Sequence, residues 1–469
     1  MRCIPIILAI TLLGTVAAAA EPGSPARPNI LFLVADDLAT RLGCYGDPAA
    51  ITPNLDRLAA SGVVFTHAYC QGVVCTPSRT SFMLGLNNRH SRATSFLENP
   101  ELMTLGRWFR DHGYQTFSVG KIDHTDEYTD PRAWDIRHNG ADVKPPRQLG
   151  KRTKLQEDLP QSDGSRLDRH LSHIGIADSA DQLHDWAVAE RAIKFLDTER
   201  DASKPFFAAV GFHTPHGPLD STRAAYDSHD PAKFKLEQLP ADATSLPPKS
   251  LLQEPGVATS EKVQRELTRA YYAAVTMLDE QIGRLLDHLE AKGLADNTVI
   301  VFTADHGYHL GWRGQWCKHS IDEQVTRVPL IVRTPRSAKA ARAQGIVELI
   351  DLFPTFCALA DLPAPHSLDG RSFVPLLADP AAAGKPAAFC TGANGRTVRT
   401  ARWRYVERSD GTKELYDHEN DPSEYHSLAD RPEHASLIRE HAALLEQELG
   451  PRKIPRRGGQ DKQRDAAGR

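Results

Sequence analysis

Charge of one sign is what this chain lacks most plainly: 56 Lys and Arg stand against 60 Asp and Glu, leaving −4 over 469 residues. That balance makes no case for nucleic acid as a partner. Cysteine is sparse. The seven, Cys3, Cys44, Cys70, Cys75, Cys317, Cys357 and Cys390, are irregularly spaced and include no Cys-x-x-Cys pair. A disulfide scaffold and a cysteine-type zinc site are therefore excluded. No Asn-x-Ser/Thr acceptor occurs, which favours a bacterial exported protein over a glycosylated eukaryotic one. Beyond the N-terminus no apolar run approaches a membrane span, and there is no internal repeat. A 41% hydrophobic content is ordinary and ample for one large domain, or a large and a small one.

The first residues are unusual. Arg2 precedes an apolar run from Ile4 to Val16, followed by Ala17 to Ala20 and Glu21. A positive start, a short apolar core and small residues describe a secretory signal peptide over 1–20, too short to anchor. Cys3 lies before the run, so it is not a lipoprotein-type cysteine. The mature protein is expected in the periplasm or medium.

Four apolar runs end in polar clusters. "PNILFLVADD" (28–37) ends in Asp36-Asp37, "YQTFSVGKIDH" (114–124) in Lys121 and His124, "KPFFAAVGFHTPHGP" (204–218) in His213 and His216, and "TVIVFTADHG" (298–307) in Asp305-His306. Continuous apolar runs alternating with helical patterns predict an α/β fold with a mainly parallel sheet. The helical patterns span Leu183 to Leu196, and Ser260, as cap, to about Lys292. Such sheets gather ligands at the carboxyl ends of their strands. One polar strand end is by default a solvated loop; four with ligand or acid–base side chains predict one shared site.

Asp36, Asp37 and Asp305 in one place repel unless a cation compensates them. Their hard oxygens suit Ca²⁺ or Mg²⁺, and Ca²⁺ takes the larger, looser shell. Arg79, Lys121 and Lys318 would add a binding site for a sulfate or phosphate ester, while His124, His213 and His216 supply proton-transfer groups. A lone lysine or histidine at a strand end is more often a surface or structural residue, and His213 is assigned either a structural place or one supporting the residues that ligate. Lys144, Arg147, Lys151, Arg152 and Lys154 read as an exposed flexible insertion, with a basic rim for an anionic polymer as the sharper alternative. From about 385 short strand-like runs ("FCTGA", "TARWRYVER", "ELYDH") predict a small antiparallel subdomain, closed by a helix from about Pro432 to Leu449. The tail 451–469 is basic and interrupted by Gly and Pro, the composition of a disordered segment.

"GVVCTPSRTSFMLG" (72–85) places Cys75 at a predicted helix start. Helix dipoles lower thiol pKa values there, which allows a cysteine nucleophile. Yet a thiolate beside three carboxylates and an oxygen-seeking cation is a poor match; oxygen ligands are wanted at position 75.

Cys75-Thr76-Pro77-Ser78-Arg79 with Leu84-Gly85 resembles the type I sulfatase signature. "RPNILFLVADD", "TPNLDRLAASGVVFTHAYC", "GKIDH", "FHTPHGP", "TADHGYHLG", "RVPLIVRTP", "LDGRSFVPLL" and "ELYDHENDPSE" resemble further sulfatase segments in family order. Within the family the chain is most similar to iduronate-2-sulfatases and their bacterial relatives, with Asp305-His306 and "WRGQWCKHS" carrying that likeness.

The resemblance implies an alkaline-phosphatase-like α/β catalytic domain over 27–384 and a smaller α+β C-terminal subdomain over 385–450. It implies that a maturation enzyme oxidises Cys75 to Cα-formylglycine, and that Asp36, Asp37, modified Cys75, Asp305 and His306 bind Ca²⁺. Arg79 would stabilise the aldehyde hydrate, Lys121 and Lys318 would hold sulfate oxygens, His124 would act on the formylglycine hydroxyl, and His216 would lie by the ester oxygen. The implied substrate is a sulfated sugar or a glycosaminoglycan or polysaccharide fragment. Asp123 stands where that branch often has an aromatic residue, and "YHSLA" (425–429) departs from the usual "NLA". Two rivals remain: a phosphate or phosphonate ester hydrolase on the same scaffold, and a non-catalytic binder of sulfated glycans.

Overall fold

Asn29–Asp36 forms the middle strand, β1, and every one of its residues is buried, as expected of a strand covered on both faces. The computed structural model describes residues 27–91, 101–125, 128–150, 153–154, 173–237, 240–242, 261–336, 340–365 and 368–451. With β1, strands β2 (Val63–Tyr69), β3 (Gln115–Gly120), β4 (Ile136–Asn139), β5 (Phe206–Pro215), β6 (Thr298–Ala304), β7 (Arg327–Arg333), β8 (Ala341–Ala343) and β9 (Val347–Glu348) make a nine-stranded sheet. Its order is β8-β2-β7-β6-β1-β5-β3-β4, with β9 also beside β2. β7 runs antiparallel to β6 and β2, while the other pairings are parallel. The predicted mainly parallel α/β sheet is thus present. The reversal at β7 was not legible, because an apolar run reads the same in either direction.

Register positions the four polar clusters. Asn29 pairs with Thr298 and Ala35 with Ala304, so Asp36 and Asp305 leave adjacent strands side by side. Gly120 pairs with Gly211, so Lys121 and His213 emerge at the same end. Gly120 has φ 74°, and a Cβ there would lie 2.1 Å from the Gly211 carbonyl oxygen. Only glycine lets the two backbones meet while the chain turns Lys121 inward.

Helices α1 (Pro53–Ala60), α2 (Cys75–Leu84), α3 (His184–Lys194), α4 (Glu261–Ala291) and α5 (Leu352–Leu359) surround the sheet. Phe82 of α2 and Phe356 of α5 both pack edge-on against Phe32 of β1, which ties α2 to the strand bearing Asp36. α3 and α4 pack against each other and on β5. A π-helical turn, Phe195–Glu199, continues α3. The expected α4 cap, Ser260, lies outside the described residues, as do the segment 1–26, Lys151 and Arg152 of the basic insertion, residues 155–172 after it and nearly all of the tail.

A second sheet contains four antiparallel strands in chain order: β10 (Ala387–Gly392), β11 (Gly395–Thr400), β12 (Trp403–Arg408) and β13 (Lys413–Asp417). Helix α6 (Ala435–Leu449) covers it, with Leu445 buried among Val398, Tyr405 and Leu415. β11, "GRTVRT", gave no strand signal because its two arginines read as solvated, whereas in the fold Arg396 pairs with Glu407 of the neighbouring strand and Arg399 faces Glu323 at 3.4 Å. The six described cysteines are all free thiols. No helix among the described residues is long and apolar enough to cross a membrane.

Candidate active site

Cys75 is the first residue of α2, as the sequence suggested, and it is buried. Its thiol is not activated there. Burial, then Asp36 and Asp305, push its pKa up against the pull of Lys318 and Lys121. The lowering expected from the helix terminus is overturned, because desolvation and carboxylates outweigh the dipole.

Around Sγ the predicted residues converge. Asp36 Oδ1 lies at 3.3 Å, His306 Nε2 at 3.5 Å, Lys318 Nζ at 3.2 Å and Lys121 Nζ at 3.6 Å. Lys318 donates to Asp37 Oδ1 at 2.6 Å, and Lys121 donates to Asp36 Oδ2. Against the cost of burial, Lys121 and then Arg79 hold Asp36 well below the usual carboxylate range. Lys318 does the same for Asp37, lowered to about 2. Asp37 adopts φ 63°, which ends β1 sharply and turns its N–H onto Asp305 Oδ1 at 3.2 Å.

Arg79 is buried along α2 and acts as a brace. Its Nε donates to Asp305 Oδ2 at 3.0 Å, its Nη1 to the carbonyls of Lys121 and Ile122, and its Nη2 lies 3.4 Å from Asp36 Oδ1 without a hydrogen bond. Asp305 is heavily engaged: besides Asp37 N and Arg79, it accepts from His306 N at 2.9 Å. Ser78 Oγ donates to its carbonyl, a contact the sequence did not suggest.

Does a hard cation fit? Ligand atoms of Asp36, Asp37, Cys75 and His306 lie within 4.8 Å of one another, all buried. Asp305 is outside that group, although its Oδ2 is 3.5 Å from His306 Nε2. His306 Nδ1 faces the Gly307 carbonyl at 3.1 Å, and a carbonyl only accepts, so Nδ1 carries the proton. Burial holds His306 neutral. Nε2 therefore presents a bare lone pair toward Asp37 Oδ1, 3.5 Å away. A lone pair and two carboxylates aimed at one point suit a divalent cation. Sulfur is the one soft donor in this set, and an oxygen there would complete it.

His213 takes the second of its two expected places, beside a candidate ligand: Nδ1 is 3.9 Å from Asp36 Oδ2, and its ring lies 4.7 Å from that of His216. His216 Nδ1 donates to the Gly217 carbonyl at 2.8 Å, and Nε2 is 4.0 Å from Asp37 Oδ2. His124 lines the same cavity at its exposed rim, its imidazolium disfavoured by partial desolvation, Lys121 and Arg79. Asp185, on α3, was missed. It accepts from the backbone N–H groups of His213 (3.0 Å) and Thr214 (2.8 Å) and from the Thr214 hydroxyl, pinning the β5 end. Within its helix it gave no signal, since its partners lie 28 and 29 residues away.

Cys75, both lysines and the three histidines line a cavity of about 1200 Å³, whose walls include Arg137, Trp186 and Gln281. A sulfate would fill a small part of it.

A profile of the sulfatase family matches residues 28–362, from the start of β1 past the last of the central strands. The chain belongs to the sulfatase family. It is a sulfuric ester hydrolase by that membership, and the C-terminal profile of N-sulphoglucosamine sulphohydrolase matches residues 311–449. Iduronate 2-sulfatase of Mus musculus is 32% identical over 399 residues, 74% of this sulfatase and 71% of the relative. A solved structure in complex with its substrate D-glucosamine-2-N,6-O-disulfate superposes with TM-score 0.72 at 23% identity, covering 92% of this chain and all of that one. The phosphonate monoester hydrolase of Agrobacterium radiobacter superposes equally, TM-score 0.72 at 22% identity, over 90% and 95% of the two chains. These likenesses bear out the alkaline-phosphatase-like fold.

Proposed function

We propose that this sulfatase removes sulfate from a sulfated sugar or glycosaminoglycan or polysaccharide fragment, using formylglycine made from Cys75 by a maturation enzyme and one Ca²⁺. The convergence of Asp36, Asp37, His306, Lys121 and Lys318 on Cys75 supports this most directly. Hydrated formylglycine supplies a nucleophilic oxygen and an oxygen ligand, and the cation draws charge from the transferring group.

The protein's own residues do the rest. Asp36, Asp37 and His306, with Asp305 beside them, would hold the cation. Arg79 Nη2 offers a donor to an oxygen at position 75. Lys121 and Lys318 flank that position and neutralise sulfate oxygens as negative charge grows on them. His124, neutral near pH 7, takes a proton from the nucleophilic side. His216 Nε2 is placed for the ester oxygen and donates only when the ring is doubly protonated, because Nδ1 is already committed to Gly217. The cavity beyond the sulfate position admits a sugar, and the iduronate 2-sulfatase relative makes a 2-O-sulfated uronate the first substrate to try. The segment 1–20 directs export, 27–384 carries the catalysis and 385–450 is a subdomain that completes it.

The test is the mass of the tryptic peptide Leu58–Arg79 from protein co-expressed with a maturation enzyme. Exchange of the thiol for a carbonyl oxygen removes about 18 Da, whereas oxidation at sulfur adds mass. An unmodified thiol, with a control sulfatase modified in the same cells, overturns the reading. Sulfate and phosphonate esters assayed side by side separate it from the hydrolase rival, and turnover itself separates it from a glycan binder.

A further inference from the structure

Lys318 sits in an improbable loop. Between the short strands His309–Leu310 and Trp316–Cys317, and just beyond them, the left-handed region holds Gly311 (φ 86°), Arg313 (52°), Gly314 (74°), Cys317 (67°) and His319 (78°). Three of these carry a Cβ and are disfavoured there, two of them flanking Lys318. Such conformations persist only where the surroundings impose them.

Those surroundings come from the second sheet. Asp322, fully buried, follows the loop. Its Oδ1 accepts from Arg408 Nη2 at 2.9 Å and faces Arg404 Nη2 at 3.6 Å and Arg313 Nη1 at 3.9 Å. Its Oδ2 accepts from Gln315 Nε2 at 3.2 Å and lies 4.0 Å from His309 Nε2. Arg404 and Arg408 belong to β12; Arg404 also donates to the Ile321 carbonyl, and Arg408 is fixed by Glu414 at 2.9 Å. Arg313 donates to the Tyr416 hydroxyl of β13 at 3.4 Å. His309, which opens the loop, bonds Ser320 near its close at 2.7 Å. One carboxylate thus joins the loop's start, middle and end to the C-terminal sheet.

We propose that Asp322, gripped by Arg408 and Arg404, is a positioning residue that holds Lys318 between Asp37 and Cys75. This rests on the reading that Lys318 acts on the sulfate group. Without the Asp322 charge, three buried guanidiniums lose their shared partner, and a buried network that loses a member fails as a unit. The left-handed residues then relax, and Nζ leaves its place. Asp36, Asp37 and His306, held by the central sheet, stay.

The test is a double-mutant cycle of Asp322→Asn and Lys318→Met, read as kcat/KM on a chromogenic aryl sulfate with the matured protein. Lys318→Met lowers kcat/KM about 100-fold. Asp322→Asn lowers it about tenfold or more in the native background, chiefly in kcat, and less than twofold when Lys318 is already Met. Asp322→Glu, which keeps the charge, recovers part of the loss. Equal effects of Asp322→Asn in both backgrounds, or none in either, overturn the inference and leave the proposed function standing. Full activity of Lys318→Met instead removes the role of the lysine itself, and the inference with it. Should Asp322→Asn not fold, Tyr416→Phe, which deletes a partner of Arg313, is read in the same cycle with the same pattern expected at smaller size.

Discussion

Cys75 shows at the residue scale how environment overrides a local rule. A helix start alone would make the thiol acidic; burial and the neighbouring carboxylates keep it protonated. In folded, unmatured protein, Cys75 should therefore resist iodoacetamide at pH 8 and become reactive only on unfolding, as peptide mass mapping would report. Alkylation in the fold at the rate of a free thiol would contradict this. His124 supplies a pH prediction. Partial desolvation, with Lys121 and Arg79, lowers its pKa from the ordinary 6.5, so its neutral, proton-accepting form persists below that pH. A bound cation acts in the same direction. The acid limb of kcat/KM is expected below pH 6.5, and Lys121→Met, though much less active, should move that limb upward. His124 was legible because its cluster follows an apolar run immediately, and Cys75 because of the signature Cys75-Thr76-Pro77-Ser78-Arg79. Asp185 was not, since a single aspartate on an amphipathic helix is indistinguishable from a solvated one until β5 is laid beside it.

Elements place these groups in threes and fours. Parallel register sets Asp36 beside Asp305, and α2 enters between them because Phe82 docks on Phe32. The end of β5 is fixed from α3: Asp185 is held below the usual carboxylate range despite its burial by His184 and by the Thr214 and His213 donors. Asp185→Ala leaves two part-buried N–H groups unpaired, a cost of about 1 kcal/mol or more in stability by denaturant titration. It should also lower kcat/KM about tenfold by loosening His213 and His216. Stability lost with unchanged turnover would show that α3 merely supports the fold. The sequence disclosed β1, β3, β5 and β6 by their continuous apolar runs and α3 by its helical spacing. It did not disclose the reversed β7 or the strand β11, since direction and long-range ion pairing leave no mark on local pattern.

Across the whole molecule, a cation and a second sheet should behave as structural parts. Chelation should lower the melting temperature by several degrees, Ca²⁺ should restore it, and Asp37→Asn should abolish the response, as differential scanning fluorimetry would show. A melting curve indifferent to chelator and Ca²⁺ would count against the metal assignment. Residues 27–384 expressed alone should fail to fold. That piece leaves Asp322 without Arg404 and Arg408, and Glu348 and Asp351 without Lys385. Recovery of a soluble piece with a cooperative melt would show that the boundary near 385 is a true folding boundary.

The sequence by itself determined the family, the α/β class and which polar clusters meet at one end of the central sheet. Those properties are written in contiguous segments whose meaning does not depend on distant residues. Tertiary structure alone decided the protonation of Cys75, the tautomer of His306, the seat of His213 and the grip of the C-terminal sheet on Asp322. Each of these depends on burial and on partners brought together from remote parts of the chain, and desolvation and ion pairing are properties of that assembled neighbourhood.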